Sequence, residues 1–256
     1  MTRLKVALHI LLWRRPFKMQ KNTIEILEWD SRFFGYPVAR ITLDQEGSDK
    51  LEHLFLNLES WKFRVTYFFV PPQEKELINR ITNKGGILVD QKVVFSKITE
   101  KHNQYSNDII EFQGIDINER LIELVLQAGK YSRFRLDRNF NKKEYQRLYI
   151  EWLSKSIKKV IAFKTLVAKK GSDIVGITTL GDNTQFADIG LVAVDEHFHG
   201  QGIGYDLIHS ADNVANERGI KEIKVVTQFD NKGACRLYEK CHFHIGKITN
   251  IYHFWQ

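Results

Sequence analysis

The chain of 256 residues is 43% hydrophobic, enough apolar material to bury the core of one large domain or two modest ones, and this argues against a disordered protein. Its 38 Lys and Arg against 31 Asp and Glu leave a net charge of +7, which favours anionic partners: nucleotides, a polyphosphate cofactor, nucleic acid or an acidic membrane surface. Basic residues such as Lys142, Lys143, Lys155, Lys158 and Lys159 are spread along the length, without the arginine-rich run of a dedicated nucleic-acid module, so no nucleic-acid partner is expected.

The opening, "MTRLKVALHILLWRRPFKMQK", has a basic start and a short apolar middle, but Arg14 and Arg15 follow the apolar part and no small-residue cleavage site appears. Residues 1–20 read as a dispensable N-terminal extension. Initiation at Met19 is one explanation for residues 1–18, and a weak interfacial membrane helix is the other. No apolar run approaches the about 20 residues needed to cross a bilayer, so no stable membrane insertion is expected.

From Thr23 short β-rich runs alternate with helical patterns. "TIEILEW" and "PVARITL" read as strands, and "DKLEHLFLNLESW" as a helix with Leu51, Leu54, Phe55 and Leu58 on one face. "RVTYFFVPP" is a buried strand stopped by prolines. "EKELINRITNKGG" is a helix closed by Gly85 and Gly86, and "ILVDQKVVFSKI" is the next strand. The polar stretch "EKHNQYSND", residues 100–108, is the expected boundary, giving a small α/β domain over 21–108 and a second domain over 109–256.

The second domain opens with helices expected over Asn118 to Lys130 and Lys143 to Lys159, then the strand candidates "IAFKTLVAKK", "DIVGITTLGD" and "FADIGLVAV". Gly171, Ser172 and Asp173 join the first two of these as a hairpin. Further on, Ile203, Leu207, Ile208, Ala211, Val214 and Ala215 mark one face of a helix that Gly219 can end. "KEIKVVTQF" is then a strand, "NKGACRLYEKC" a helix and "FHIGKITNIYHFW" a final strand. Residues 67–95 and 225–254 both run strand, helix, glycine, strand, an echo that shared β-α-β grammar explains as well as duplication does.

The only cysteines, Cys235 and Cys241, are too few for a disulfide framework and suit a reducing, cytoplasmic compartment. With His242 and His244 they lack the paired spacing of a zinc site, and no metal is expected.

Between the third of those strands and the long helix lies "HFHGQGIGYDLI", residues 197–208, with Gly200, Gly202 and Gly204 at alternate positions. A P-loop would need Gly-Lys-Ser/Thr at its end, and a dinucleotide fingerprint would need glycine at Tyr205 or Leu207; neither is present. What such a loop can still do is turn successive N–H groups inward and hold a diphosphate at a helix N-terminus.

The order hairpin, third strand, glycine loop, long helix, strand, helix, strand, with "VDEHFHGQGIGYDLI", resembles the acyl-CoA N-acyltransferase fold of the GNAT superfamily and its Gln/Arg-x-x-Gly-x-Gly/Ala cofactor signature. The resemblance implies an α/β (α+β) fold with a mixed, largely antiparallel sheet and acetyl-CoA as acyl donor. Gly200, Gln201, Gly202, Ile203 and Gly204 would form the backbone cradle; His199 departs from the motif at its first position. Amides at a strand break around Val192, Ala193 and Val194 would polarise the reacting carbonyl. In "FDNKGACRLYEKCHF", Asn231 would bind the cofactor arm and Tyr238, seven residues on and so on the same helix face, would protonate the departing thiolate. Asn231 as a plain helix N-cap and Tyr238 as a core residue are the bland alternatives. Asp188 stands where some superfamily members carry a base, but an exposed strand residue explains it equally, and no general base is identified.

"LEWDSRFFGYPVARI", "SRFRLDRNF" and "YQRLYIEWLSKSI", together with the Tyr238 segment, further resemble the TDP-fucosamine acetyltransferases, which N-acetylate dTDP-4-amino-4,6-dideoxygalactose for cell-surface polysaccharide. This second resemblance implies a nucleotide-linked amino sugar as acceptor, with Arg133 and Arg135 as partners of its diphosphate. A homodimer stays open. Acetyl transfer to another amine and a non-catalytic acyl-CoA-binding module are the rival expectations.

Overall fold

The computed structural model describes residues 22–44, 50–102, 106 and 108–256. The expected N-terminal extension and part of the expected boundary, residues 103–105 and 107, lie outside the described residues. The chain forms two compact units, Met1–Val93 with Lys247–Gln256, and Val94–Gly246. The boundary thus falls not in the polar stretch 100–108 but inside a strand, and the last ten residues return to the first unit.

In the first unit, β1 (Ile24–Ile26) pairs antiparallel with β2 (Val38–Thr42), which pairs parallel with β3 (Val65–Val70). The end of β10 (His244–Trp255) completes this half, Asn250 to Trp255 running antiparallel to Val70 to Val65. Helix α2 (Leu51–Trp61) makes the β2-to-β3 crossover that a parallel pair requires, and α3 (Lys75–Asn83) follows β3. Leu51, Leu54, Phe55 and Leu58 of α2 and Leu77 and Ile81 of α3 bury against Ala39, Ile41, Phe68 and Val70 of the strands. One expectation changes: the "TIEILEW" strand stops at Ile26, and α1 (Glu28–Phe34) begins two residues later. Glu28 and Asp30 in its first turn suit a helix start, and Leu27 is buried rather than alternating outward.

Strands β4 (Ile87–Ile98) and β10 each contribute residues to both units. The second unit then runs β5 (Ile109–Glu111), α4 (Glu119–Ala128), α5 (Arg133–Leu136), α6 (Lys142–Ile157), β6 (Lys164–Lys170), β7 (Asp173–Asp182), β8 (Ala187–Val194), α7 (Ile203–Glu217), β9 (Glu222–Gln228) and α8 (Lys232–Lys240). Strands β5 to β8 form an antiparallel meander, with β6 and β7 joined at Lys170 and Asp173 by the expected hairpin. β9 lies parallel to β8. Leu166, Ala168 and Val175 from the sheet pack on Ile203 and Leu207 of α7.

Two irregularities shape one end of this sheet. β8 and β9 are paired only from Ala187↔Ile223 to Ile189↔Val225, so the rest of β8 runs on without that neighbour. The β7–β8 register also shifts: Thr178 faces Val192 while Leu180 faces Ile189, which inserts one extra residue on β8 at Gly190–Leu191. Across α7, the buried Asp212 carboxylate meets Lys97 Nζ at 2.9 Å and His102 Nε2 at 2.6 Å, and Asn213 accepts from His102 N–H at 2.6 Å. Residues 97–102 are thereby tied to that helix.

Candidate functional site

The unpaired length of β8 supplies the first part of the site. Asp195 N–H donates to Val175 O at 2.9 Å, so in an antiparallel ladder Ala193 also faces β7, while Val192 and Val194 turn their N–H and C=O groups away from it. The bulge at Gly190–Leu191 sets this phase. Of the three expected carbonyl-polarising positions, Val192 and Val194 therefore present amides to the opening, and Ala193 spaces them.

The chain then turns through a 3-10 segment, Glu196–Phe198, and enters the glycine loop. Gly200 and Gly202 have φ of +78° and +83°, where a side chain is strained, and a Cβ at either would meet no heavy atom within 4 Å. Their role is conformational: alternating left-handed residues turn consecutive amides to one side. From Gly200 to Tyr205 no backbone N–H has an acceptor among the described residues, and the first bond of the following helix runs from Asp206 N–H to Gly202 O. About half a positive charge collects at such a helix start. A diphosphate of acetyl-CoA fits this concavity by its chemistry: acceptor oxygens for donor amides, negative charge for the dipole. Gly204 serves another purpose, because a Cβ there would lie 3.1 Å from Leu237 of α8. Its absence lets α7 and α8 close on each other, as does Lys240, whose Nζ sits 5.3 Å from the centre of the Tyr205 ring.

His199 is not idle. Its Nε2 lies 2.9 Å from the Val194 carbonyl oxygen, tying the loop back to the strand end. The end of β8 is also clipped to α4. The buried Asp195 carboxylate accepts from Arg120 Nη2 and from His197 N–H at 2.8 Å, while Arg120 Nε donates to Ile174 O at 2.8 Å. The His197 backbone bond, then His197 and Arg120 side chains, hold the Asp195 carboxyl down at about 2 against the opposing effect of burial. A further α4 residue, Gln127, accepts from Glu196 N–H at 3.3 Å. None of Arg120, Gln127, Asp195 or Leu237 was legible as a site residue; the one signal was the Asp that opens Asp-Glu-His-Phe, a residue that caps turns.

On α8, Asn231 is the N-cap, its Oδ1 accepting from Ala234 N–H at 3.2 Å. Seven residues on, Tyr238 is 4% exposed and lies among Phe95 at 5.5 Å, Phe243 at 6.1 Å and the two cysteines. Burial, with smaller contributions from Cys235 and Cys241, raises its phenol above the ordinary value, so it stays protonated. Burial likewise lifts Cys235 and pushes Cys241 up to about 12, which leaves neither as a thiolate nucleophile. No cluster of metal-ligating side chains occurs among the described residues.

The remaining candidates separate. Asp188 lies in the paired part of β8, opposite Gly181 and Lys224, four residues and so about 13 Å from Val192. Arg133 is buried at 5% exposure with its guanidinium 4.6 Å from the Phe134 ring centre, whereas Arg135 is exposed and lines a cleft of about 480 Å³ between α4, α5 and α6.

The meander, the splayed strand and the glycine loop ahead of a long helix are the arrangement expected of an acyl-CoA N-acyltransferase fold. Residues 130–243 match the acetyltransferase (GNAT) family model, and the chain carries a GNAT acetyltransferase domain: it is an acetyl-CoA-dependent N-acetyltransferase. Its sequence is 28% identical over 220 residues to the dTDP-fucosamine acetyltransferase of Escherichia coli, covering 85% of this chain and 92% of that one. The fold is similar to that of a functionally unknown conserved protein from Staphylococcus epidermidis, with TM-score 0.61 and 15% identity over 86% of this chain and 84% of the other. A GCN5-related N-acetyltransferase from Sphaerobacter thermophilus gives TM-score 0.58 at 13% identity, covering 91% of this chain and 76% of that one. Among the described residues no helix is long and apolar enough to cross a membrane.

Proposed function

We propose that the protein moves an acetyl group from acetyl-CoA to the amine of a dTDP-linked amino-dideoxy sugar, with dTDP-4-amino-4,6-dideoxygalactose the first choice, by direct attack in a ternary complex. One observation carries this reading. The similarity to the E. coli enzyme covers 92% of that protein, so it extends well beyond the 130–243 family match into the β1-to-β4 region.

In this reading the amides of Gly200, Gln201, Gly202, Ile203 and Gly204 take the cofactor diphosphate, and His199 keeps the loop braced on Val194. Asn231 uses Oδ1 as a cap and offers Nδ2 to the cofactor arm. Val192 and Val194 N–H groups take up charge on the reacting carbonyl oxygen, the usual largest contribution in acyl transfer. As the C–N bond forms and the C–S bond breaks, Tyr238 gives its proton to the leaving sulfur, and the proton that the attacking amine loses passes through solvent and restores the phenol. A thiol near 8.5 and a phenol near 10 are matched in water, and a dry pocket raises both, so the transfer stays near balance. Arg135 is the better placed of the two expected acceptor contacts. The two free thiols support a cytoplasmic reaction, upstream of polysaccharide assembly.

The test is thiol release from acetyl-CoA against a panel of nucleotide-linked amino sugars, polyamines, aminoglycosides and peptides. Turnover confined to dTDP-linked amino sugars is the expected result. Turnover on another amine with silence across the sugars overturns the assignment.

A further inference from the structure

The bulge on β8 has a fastening of its own. Leu191 N–H donates to the Thr179 hydroxyl oxygen at 3.0 Å, and the bond is enclosed on both sides, with Thr179 fully buried and Leu191 7% exposed. Thr179 is the β7 residue between the pairs Thr178↔Val192 and Leu180↔Ile189, so it stands opposite the extra residue itself. Gly190 is not one of the glycines with a positive φ, and the bulge therefore does not rest on a left-handed residue. Two neighbouring threonines give the contrast. Thr165, the partner of Thr179 on β6, and Thr178 are buried as well, but neither hydroxyl has a hydrogen-bond partner among the described residues. A β-branched residue in a sheet needs no further reason. The Thr179 oxygen, by contrast, is in use.

A bulge is a choice of register. Regular pairing continued from Leu180↔Ile189 would set Leu191 opposite Thr178 and Val192 opposite Ile177, one residue away from the observed pairs. Val192 would then turn its N–H onto β7, and Ala193 would face the opening in its place. The Thr179 hydroxyl favours the bulged register because it gives the Leu191 amide an acceptor there, in a place where an unpaired N–H is costly. Four residues on, Asp195 N–H to Val175 O at 2.9 Å holds the same register. Val192, Ala193 and Val194 lie between these two ties.

We infer that Thr179 is a positioning residue for acetyl transfer: its hydroxyl holds the β8 bulge and thereby keeps the Val192 and Val194 N–H groups aimed at the thioester carbonyl. The inference rests on the reading of those two amides as the carbonyl donors and adds what aims them. Thr179 acts only through β8 and touches no reacting atom.

Thr179→Val removes the hydroxyl and keeps the shape, whereas Thr179→Ser keeps the hydroxyl and drops a methyl. The first readout needs no acceptor: the infrared carbonyl stretch of acetyl-CoA, isotope-labelled at that carbon and bound to the full-length protein, falls when N–H groups donate to the oxygen. Thr179→Val should raise this band above the parent position and Thr179→Ser should leave it there, with coenzyme A affinity within about twofold of the parent in both by calorimetry. With the amine that the panel identifies, kcat should fall about tenfold or more in Thr179→Val while KM for acetyl-CoA stays within about threefold, and Thr179→Ser should recover most of the rate. Thr165→Val, the control on the next strand, should move neither band nor rate. Hydrogen exchange over residues 189–195 reports on the fastening directly and should be faster in Thr179→Val. If the valine variant does not fold, Thr179→Ala against Thr179→Ser makes the same comparison. Unchanged exchange without the hydroxyl overturns the fastening. Faster exchange with band and rate unmoved overturns the two amides as carbonyl donors, and the positioning role with them. A loss that serine does not restore assigns the effect to packing and overturns the inference as well. The acceptor class is decided separately by the amine panel.

Discussion

Tyr238 is 4% exposed as a residue, and its hydroxyl has no hydrogen-bond partner among the described residues, yet the oxygen itself is not sealed from its surroundings. A phenol whose proton is uncommitted and whose oxygen stays accessible suits the proposed proton donation. Tyr238→Phe keeps the ring and its packing on Phe95 and Phe243. The expected result is a fall in kcat of about 10²- to 10³-fold with KM for acetyl-CoA within about threefold of the parent. Because nothing but the hydroxyl is removed, Tm should stay within about 2 °C. An unchanged kcat in steady-state assays would remove Tyr238 from the mechanism. The sign of its pKa shift adds a second readout. Burial raises the phenol, so the protonated, donating form persists past the ordinary value of about 10. The alkaline limb of kcat should therefore not turn down below about pH 10 on account of this group.

At the scale of elements, the end of β8 is held by α4 on one side and organised by the start of α7 on the other. Asp195 is the fastener, through Arg120 and the His197 turn. Asp195→Asn weakens these charge-assisted bonds and, with Arg120 about a third exposed and so partly screened, should cost about 1 to 3 kcal/mol. That corresponds to a Tm lower by roughly 3 to 10 °C in thermal melts at pH 7. The carboxyl is held at about 2, below its unfolded value, so its contribution is present above about pH 4 and fades as pH falls toward 2. The gap in Tm between parent and variant should narrow over that window; a constant gap would assign the loss to something other than this charge. On the other side, Gly202→Ala strains a residue at φ +83° and turns the amide row out of line. Coenzyme A affinity should fall about tenfold or more by calorimetry, since the donors aimed at the diphosphate no longer converge. The helices and strands themselves were readable because apolar spacing repeats at 3.6 or 2 residues: α6 starts one residue from its expected position, and β4 and β7 match "ILVDQKVVFSKI" and "DIVGITTLGD" residue for residue. The glycine loop was readable because glycines at alternate positions between a strand and a helix have few other uses. The clip was not, since Arg120, Gln127 and Asp195 are far apart in sequence and each alone is an ordinary polar residue.

For the whole molecule the sequence pointed to the wrong place to divide the chain. A polar stretch at 100–108 has the composition of a linker, but composition says nothing about which distant strand another will pair with. Residues 250–255 of β10 pair with β3, and Ile251, Tyr252 and His253 are at most 4% exposed in that arrangement. Residues 94–98 of β4, which the expected boundary gave to the other domain, include Phe95 against Tyr238 and Lys97 against Asp212. A fragment of residues 109–256 would therefore lose β3 from the side of β10 and leave the Asp212 carboxylate, 1% exposed, without Lys97 or His102. An unpaired buried charge of this kind costs about 3 to 5 kcal/mol, comparable to the whole stability of a small domain. A bared apolar strand edge adds a template for self-association. The fragment should be recovered mainly as aggregate, by soluble yield and size-exclusion chromatography, and acetyl-CoA should not rescue it. A monodisperse fragment melting within a few degrees of the full chain would mean that neither β4 nor the pairing of β10 with β3 is needed to hold the acetyltransferase unit together.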